Sequence, residues 1–246
     1  MRYEILGPIP LVRSGEQIGA VGAHKIETLL ATLLIQAGQV VTTDRLITEI
    51  WGLTPPRTAM SALHVYVSKL RKWLAGLGAG NPVVTRPSGY LMELGKSKLD
   101  LRDFLELVDE ARLLARQSRH VDVIDRTNQA LALCTATVVG NCFGGPIITN
   151  FSAWITATRL ECVGLAAAAN LALGRHDEVI SAVYPVLAEH PLHESFCGQL
   201  MRALHQTHRR ADALKVYGTL RTALRTELGL EPCQYLRELH DAILGT

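Results

Sequence analysis

The first hydrophobic pattern with helical spacing lies between Lys25 and Ala37. Its apolar members are Ile26, Leu29, Leu30, Leu33 and Leu34. Because about 3.6 residues complete one helical turn, these side chains share one face. Gly38 follows at a point where a left-handed residue often ends a helix. The pattern therefore predicts a first helix with a buried face.

A second helix is predicted to begin at Thr43, whose hydroxyl can cap the first turn. Its apolar face consists of Leu46, Ile47 and Ile50. The segment closes at Trp51 and Gly52, and Pro55 and Pro56 exclude a helix immediately afterwards.

A third helix is predicted from Thr58, which offers another cap, to about Leu74. When the residues are plotted at ~100° per residue, four apolar side chains fall within a narrow arc. We expect this arc to face the core; it consists of Leu63, Val67, Leu70 and Leu74.

Short strands flank the three helices. From Tyr3 to Val21, β-branched and apolar residues stand between Gly and Pro, which predicts a small antiparallel sheet. Asn81–Leu94 holds two apolar runs around a Pro-Ser-Gly turn, which predicts a β-hairpin. Sheet, three helices and hairpin in this order indicate a winged helix-turn-helix, which we assign to residues 1–95.

The outward surface of the third helix is the first candidate for function. Serine and lysine can bond base edges or phosphates, and an exposed valine can pack on a thymine methyl group. The residues predicted to face base edges are Ser61, Val65, Ser68 and Lys69. Those predicted to bond or neutralise phosphates are His64, Arg71, Lys72 and, from the hairpin, Arg86. The alternative interpretation is a solvated basic helix face.

The hairpin favours the interpretation as a DNA-binding surface. Thr85 and Arg86 stand beside its turn. A wing placed there can lay a cation along the DNA backbone or into the narrow minor groove. The predicted partner is therefore double-stranded DNA.

Charge distribution agrees with an anionic partner for the first part of the chain. The 246 residues carry a formal net charge of +2, and 48% of them are hydrophobic, which allows two globular domains. Residues 1–95 hold nine Lys or Arg against six acids, whereas residues 96–246 hold sixteen against seventeen. The basic excess thus lies in the predicted winged helix. With no secretory signal or membrane-length apolar run, we expect a cytoplasmic protein with no membrane partner.

The second part of the chain is predicted to be all helical over residues 96–246. Two segments align at an offset of thirty-four residues, which is the tetratricopeptide period. The aligned pairs are Gly174 with His208, Arg175 with Arg209, Glu178 with Asp212, Ile180 with Leu214, and Val186 with Leu220. A weaker copy begins at Arg119 and His120. The overall fold class is therefore mainly α, a winged helix followed by a tetratricopeptide-like helical domain.

Two further features belong to this helical part. Residues 137–150, rich in Gly and β-branched residues, predict a long loop between helix pairs. Stacked helix pairs form a concave surface that usually binds protein, although a purely structural packing or dimerisation domain is the alternative. The sequence does not select a partner for this surface.

Catalysis and metal binding are not predicted. The sequence lacks a phosphate-binding P-loop, an H-E-x-x-H zinc helix and a G-x-S-x-G nucleophile elbow. His190 and His193 are three residues apart, and we favour a helix-capping or surface role for them over a metal site. Cys197 with His193 can be drawn as a nucleophile and base, but a helix is the better interpretation. The five cysteines are predicted to be reduced, and no cofactor is expected.

The motifs also carry a family resemblance. TTDRLITEIWG, SALHVYVSKLRKWL and VVTRPSGYLM resemble the DNA-binding domain of OmpR and PhoB type response regulators. LALGRHDEVISAVYPVLAEHPLHE, HRRADALKVYGTLRTALRTELGLEP and LRELHDAIL resemble the bacterial transcriptional activation domain of the Streptomyces antibiotic regulatory proteins. The resemblance implies an activator of a secondary-metabolite gene cluster, which binds direct repeats near the promoter as a homodimer and recruits RNA polymerase holoenzyme.

The absence of a receiver domain in this sequence predicts that aspartyl phosphorylation within the chain does not control it. Two alternatives remain open. One is a tetratricopeptide adaptor whose winged helix packs against protein, and the other is a repressor that uses the same DNA-binding surface.

Overall fold

The structure is a computed structural model in which two compact units are recognised. The first unit comprises Met1–Leu107 with Ala130–Arg159, and the second comprises Val108–Gln129 with Leu160–Thr246. The residues that the structure describes are 1–7, 11–14, 17–20, 24–134 and 144–245. The division into domains at residues 95 and 96 stays a prediction.

In the described part of the first unit, seven short strands form two sheets. Their bounds are β1 Arg2–Glu4, β2 Leu11–Ser14, β3 Gln17–Ala20, β4 Val40–Thr42, β5 Val83–Arg86, β6 Gly89–Met92 and β7 Lys98–Leu99. One sheet has the order β3-β2-β1-β7 and the other the order β4-β6-β5. The antiparallel sheet and the hairpin predicted from the sequence are both confirmed. Strand β7, parallel to β1, was not predicted, because two residues are too few to show a pattern.

The described residues form ten helices. Their bounds are α1 His24–Ile35, α2 Thr43–Trp51, α3 Ala59–Gly76, α4 Asp100–Arg116, α5 His120–Leu133, α6 Pro146–Ala172, α7 His176–Glu189, α8 Glu194–Gln206, α9 Arg210–Leu228 and α10 Gln234–Gly245. The first three are the helices predicted from hydrophobic spacing. Gly38 has φ +86°, so the left-handed residue predicted after α1 is confirmed.

Two predicted helix caps need correction. Thr42, and not Thr43, is the N-cap of α2, and its hydroxyl accepts the Arg45 N–H at 3.4 Å. Thr58 does precede α3, but its side chain makes no capping hydrogen bond, because its backbone has ψ near 9° instead of the extended conformation of a capping residue.

Buried carboxylates join distant parts of the first unit. The Asp100 carboxylate, 3% exposed, accepts the N–H groups of Ile5 and Leu6 at 2.8 and 2.9 Å, together with that of Leu101. Burial raises the pKa of this carboxyl, since removal from water disfavours its charged form more than the three bonds favour it. Asp100 thereby ties the residues after β1 to the start of α4.

The start of α6 is capped by a residue of α2. The Glu49 carboxylate, 3% exposed, accepts the Ile147 N–H at 2.6 Å and the Ile148 N–H at 3.4 Å. An added Cβ at Gly145 would lie 2.9 Å from the Glu49 Cα, so glycine permits this close approach. The cap satisfies N–H groups that a helix start leaves without partners.

This cap corrects the predicted loop over residues 137–150. Its last five residues are helical, because α6 begins at Pro146, whose fixed φ and missing N–H suit the first turn. Its earlier part, residues 137–143, lies outside the described residues.

The second unit repeats one turn geometry three times. The residue before each arginine has a positive φ: Ser118 (+56°), Gly174 (+71°) and His208 (+61°). The arginines that follow donate their backbone N–H groups to the preceding helix in the same way, at Leu114, Asn170 and Leu204. Helices α7 and α9 begin thirty-four positions apart, so the predicted tetratricopeptide-like repeat is confirmed.

In the first and third copies, the arginine also bonds an aspartate three residues on. Arg119 meets Asp122, and Arg209 meets Asp212, each with N···O of 2.8 Å. The apolar centre of the second unit lies between α7, α8, α9 and α10, and includes Val183, Phe196 and Leu236. No helix in the described part of the chain has the length and apolar character that crossing a membrane requires.

Candidate nucleic-acid interface

Helix α3 has one buried and one exposed face, as its spacing predicts. Leu63, Leu70 and Leu74 are 0% exposed and Val67 is 2% exposed. The opposite face is exposed and consists of Ser61, His64, Val65, Ser68, Lys69 and Lys72. The core-facing arc predicted from the sequence is therefore confirmed, and six of the nine candidate residues lie together on one surface.

This face is basic and lacks compensating acids. Residues 59–76 contain no Asp or Glu. Within the ranges that the structure describes, Lys69 and Lys72 form no ion pair, and both side chains are exposed. Val65 is 50% exposed on the same face. The surface can therefore attract an anion and offer an apolar contact to it.

An aromatic pair packs at one edge of α3. Tyr66 stacks on Trp51 at the end of α2, with ring centroids 5.7 Å apart and planes at 17°. The Lys25 ammonium lies 5.1 Å from the centroid of the Trp51 ring. These contacts fix the orientation of α3 against α2, and they leave the exposed face uncovered.

At the other edge, α3 is bonded to the hairpin. The Arg71 Nε donates to the Val83 carbonyl at 2.9 Å, and Nη2 donates to the Thr85 hydroxyl at 2.8 Å. The guanidinium also lies 5.9 Å from the centroid of the Tyr90 ring. The two candidate residues Arg71 and Thr85 thus contact each other, and the predicted phosphate contact of Arg71 stays a prediction.

Arg86 lies on the exposed part of the hairpin. Its Nη2 is 2.9 Å from Oε1 of Glu93, and the two side chains are 45% and 52% exposed. An ion pair this exposed is worth at most about 1 kcal/mol, because water screens it. The side chain can therefore leave Glu93 for a stronger anion.

The hairpin is held close to α2 and β4. The Thr43 N–H donates to the Ser88 carbonyl at 3.1 Å. Gly89 faces β4 so closely that an added Cβ would lie 1.9 Å from the Val41 carbonyl oxygen. These contacts place the turn of the hairpin beside the start of α2, on a rigid support.

The bonds that join α3 to the hairpin could not be predicted from the sequence. Arg71 and Val83 are twelve residues apart, and no local spacing connects a helix with a later strand. The one usable signal is alternation, since Val83 and Thr85 project from the same side of β5. The partner of Arg86, Glu93, lies across the hairpin and was likewise not predicted.

The geometry gives little support to a cysteine nucleophile or to a metal site. His193 is the N-cap of α8, where Nδ1 accepts the Phe196 N–H at 3.5 Å, and burial lowers the pKa of its ring. Cys197 is 0% exposed, and burial raises the pKa of its thiol to about 12, which disfavours a thiolate nucleophile. No group of three or more metal-ligating side chains occurs among the described residues.

Four of the five cysteines lie among the described residues, where they are free thiols. Cys134, Cys162 and Cys197 are buried, and Cys233 is exposed. Cys142 lies outside the described residues.

Two family models match the chain. Residues 23–92 match the family described as transcriptional regulatory protein, C terminal, which covers α1–α3 and the hairpin. Residues 99–244 match the bacterial transcriptional activator domain, which is more than half of the chain.

Two similar proteins from Streptomyces are regulators. The regulatory protein DnrI of Streptomyces peucetius is 30% identical over 251 residues, which cover 99% of this chain and 92% of the relative. The transcriptional regulator RedD of Streptomyces coelicolor is 33% identical over 254 residues, which cover 100% of this chain and 71% of the relative.

A solved structure has the same fold. It is Mycobacterium tuberculosis EmbR in complex with a low-affinity phosphopeptide, with a TM-score of 0.90 and 28% sequence identity. The match covers 99% of this chain and 65% of that chain. With both family models matched in order, the chain belongs to the Streptomyces antibiotic regulatory protein family of transcriptional activators.

Proposed function

We propose that the chain binds double-stranded promoter DNA through α3 and the β5–β6 hairpin. The exposed, acid-free face of α3 is the observation that carries the proposal. A major groove about 12 Å wide admits one helix, and a face without acids avoids repulsion from phosphates. We propose that the chain is a regulator and not an enzyme.

Within this surface, the side chains form two groups according to the part of DNA that they contact. Base edges are contacted by Ser61, Val65, Ser68 and Lys69. Phosphates are contacted by His64, Lys72 and Arg86, and by the three guanidinium N–H donors that Arg71 does not use on the hairpin. Thr85 stands at the edge of the wing, which follows the minor groove. The first group sets specificity, and the second sets affinity.

The expected arrangement is two copies on adjacent direct repeats about one DNA turn apart. A single winged helix buries a small area, so one copy alone gives limited affinity and specificity. We propose that the helical unit then contacts RNA polymerase holoenzyme and that the regulated genes form a secondary-metabolite cluster. The family membership supports a role in activating transcription. The operator sequence can be identified by footprinting the promoters around the gene that encodes this protein.

Lys69→Ala is expected to weaken binding to the cognate site about tenfold and binding to random duplex much less. The reason is that a lysine bonded to a base edge contributes about 1.4 kcal/mol of discrimination. Fluorescence anisotropy with both duplexes at one salt concentration measures the two constants. Lys96→Ala, which removes an exposed lysine outside the interface, is the control. Equal losses on both duplexes would assign Lys69 to phosphate contact.

Arg86→Ala is expected to lower affinity for every duplex and to reduce the slope of log K against log salt by about 1. Each phosphate neutralised by a cation releases about 0.9 counterion, and the exposed pair with Glu93 is weak enough to be exchanged. Binding is measured across a salt series. Arg102→Ala removes the same charge at an exposed position in the first turn of α4 and should leave the slope unchanged. An unaltered slope in Arg86→Ala would exclude the wing contact.

The two alternatives predict different results in the same assays. A protein-binding adaptor would not shift random or promoter duplex in a gel titration. A repressor would bind the promoter but lower transcript yield with purified RNA polymerase, whereas an activator raises it.

A further inference from the structure

We propose that Arg71 is a positioning residue that fixes the hairpin against α3, so that the wing and the helix contact DNA in one fixed relative orientation. This inference rests on the proposed function. The positioning role of Arg71 differs from phosphate binding because positioning needs the shape of the guanidinium and not its charge. The contacts that carry it lie within one compact part of the first unit.

Two nitrogens of the Arg71 guanidinium act as a fork, because both donate to the same strand, β5. Nε and Nη2 of Arg71 donate to two successive outward groups of β5, the Val83 carbonyl and the Thr85 hydroxyl, at 2.9 and 2.8 Å. Among the described strands, β5 is at the edge of its sheet, so this carbonyl has no strand partner there on that side. Arg71 takes the place of a neighbouring strand at this edge.

The ring of Tyr90 limits the movement of the fork. It lies 5.9 Å from the guanidinium carbon, is 6% exposed, and belongs to β6, the middle strand of the sheet. Arg71 therefore contacts both strands of the hairpin from one point on α3. A hairpin with this anchor has fewer orientations, and binding then loses less conformational entropy.

Lysine cannot replace arginine in such a contact. Its ammonium is a point charge on a flexible stem and does not present two parallel donors at a fixed separation. Arg71→Lys therefore keeps the charge and removes the fork. Thr85→Val is the complementary change, since it keeps the shape of the side chain and removes the accepting oxygen.

The test compares Arg71→Lys, Thr85→Val and the double variant in the full chain, with Arg102→Lys as a control at an exposed site. Binding to cognate and random duplexes is measured across a salt series. We expect Arg71→Lys to lose about tenfold on the cognate duplex and clearly less on random duplex, with little change in the salt slope because lysine keeps the charge. The double variant should be no weaker than Arg71→Lys, because both changes remove the same contact.

Hydrogen exchange without DNA supplies a second measurement. Backbone amides of β5 and β6 should exchange faster in Arg71→Lys than in the wild type, and those of α1 should not change. Unchanged hairpin amides, equal losses on both duplexes, or additive effects in the double variant would overturn the proposal. If the wild type binds no duplex, the proposed function fails, and the exchange experiment still decides whether Arg71 holds the hairpin.

Discussion

Gly89→Ala is expected to destabilise the protein by about 3 kcal/mol and to displace the hairpin. The added Cβ would lie 1.9 Å from the Val41 carbonyl oxygen and 2.8 Å from the Thr42 Cα. Both neighbours are backbone atoms, so no side-chain rotation relieves the overlap. Strand β6 must move away from β4, which breaks the Thr42–Gly89 end of their pairing. Urea denaturation followed by circular dichroism measures the change in the free energy of unfolding.

A second glycine supplies the control. Gly76, the last residue of α3, has open space where a Cβ would be added. Gly76→Ala should leave stability unchanged or raise it by up to about 1 kcal/mol, because alanine restricts the unfolded chain more than glycine does. If Gly89→Ala were as stable as the wild type, the close approach of β6 to β4 would be wrong. The same variant should bind cognate DNA more weakly, since the wing moves with β6.

Glu49→Ala is expected to lower the free energy of unfolding by about 3 kcal/mol. The change removes two hydrogen bonds from a charged acceptor and leaves the Ile147 and Ile148 N–H groups buried without partners. It also removes a negative charge from the N-terminus of α6, where the helix dipole favours one. Denaturation measures the total loss. Hydrogen exchange at the two isoleucine amides locates it.

The control for Glu49 lies on the same helix. Asp44 is an exposed acid in the first turn of α2, and its side chain makes no hydrogen bond to any residue that the structure describes. Asp44→Ala should cost less than about 1 kcal/mol. Glu49→Gln should fall between the two alanine variants, because an amide keeps one acceptor oxygen and loses the charge. Equal stability of Glu49→Ala and Asp44→Ala would contradict the capping role.

The sequence predicted the structural features that depend on residues close to one another along the chain. The buried face of α3 follows from the spacing of Leu63, Val67, Leu70 and Leu74, because helical geometry alone places these residues together. The repeat in the second unit was visible since each copy begins with the same turn, and the turn geometry depends on neighbouring residues. The exposed surface of α3 follows directly from its buried one.

Contacts between distant residues could not be predicted in this way. Glu49 and Ile147 are ninety-eight positions apart, and no spacing rule connects them. Without that cap, the β-branched residues after Pro146 disfavour a helix, and together with the preceding glycines they led to the prediction of a loop at the start of α6. The cap at Thr42 was missed for a smaller reason, since two adjacent threonines are equally good candidates and backbone conformation decides between them.

The cap on α6 has a consequence for any attempt to produce the winged helix alone. A truncation after residue 95 removes the Asp100 carboxylate, which accepts the N–H groups of Ile5 and Leu6, and the N–H groups of α6 that bond to Glu49, so both sets of hydrogen bonds are lost. The first compact unit consists of two separate stretches of polypeptide. We expect a stable fragment to need both stretches.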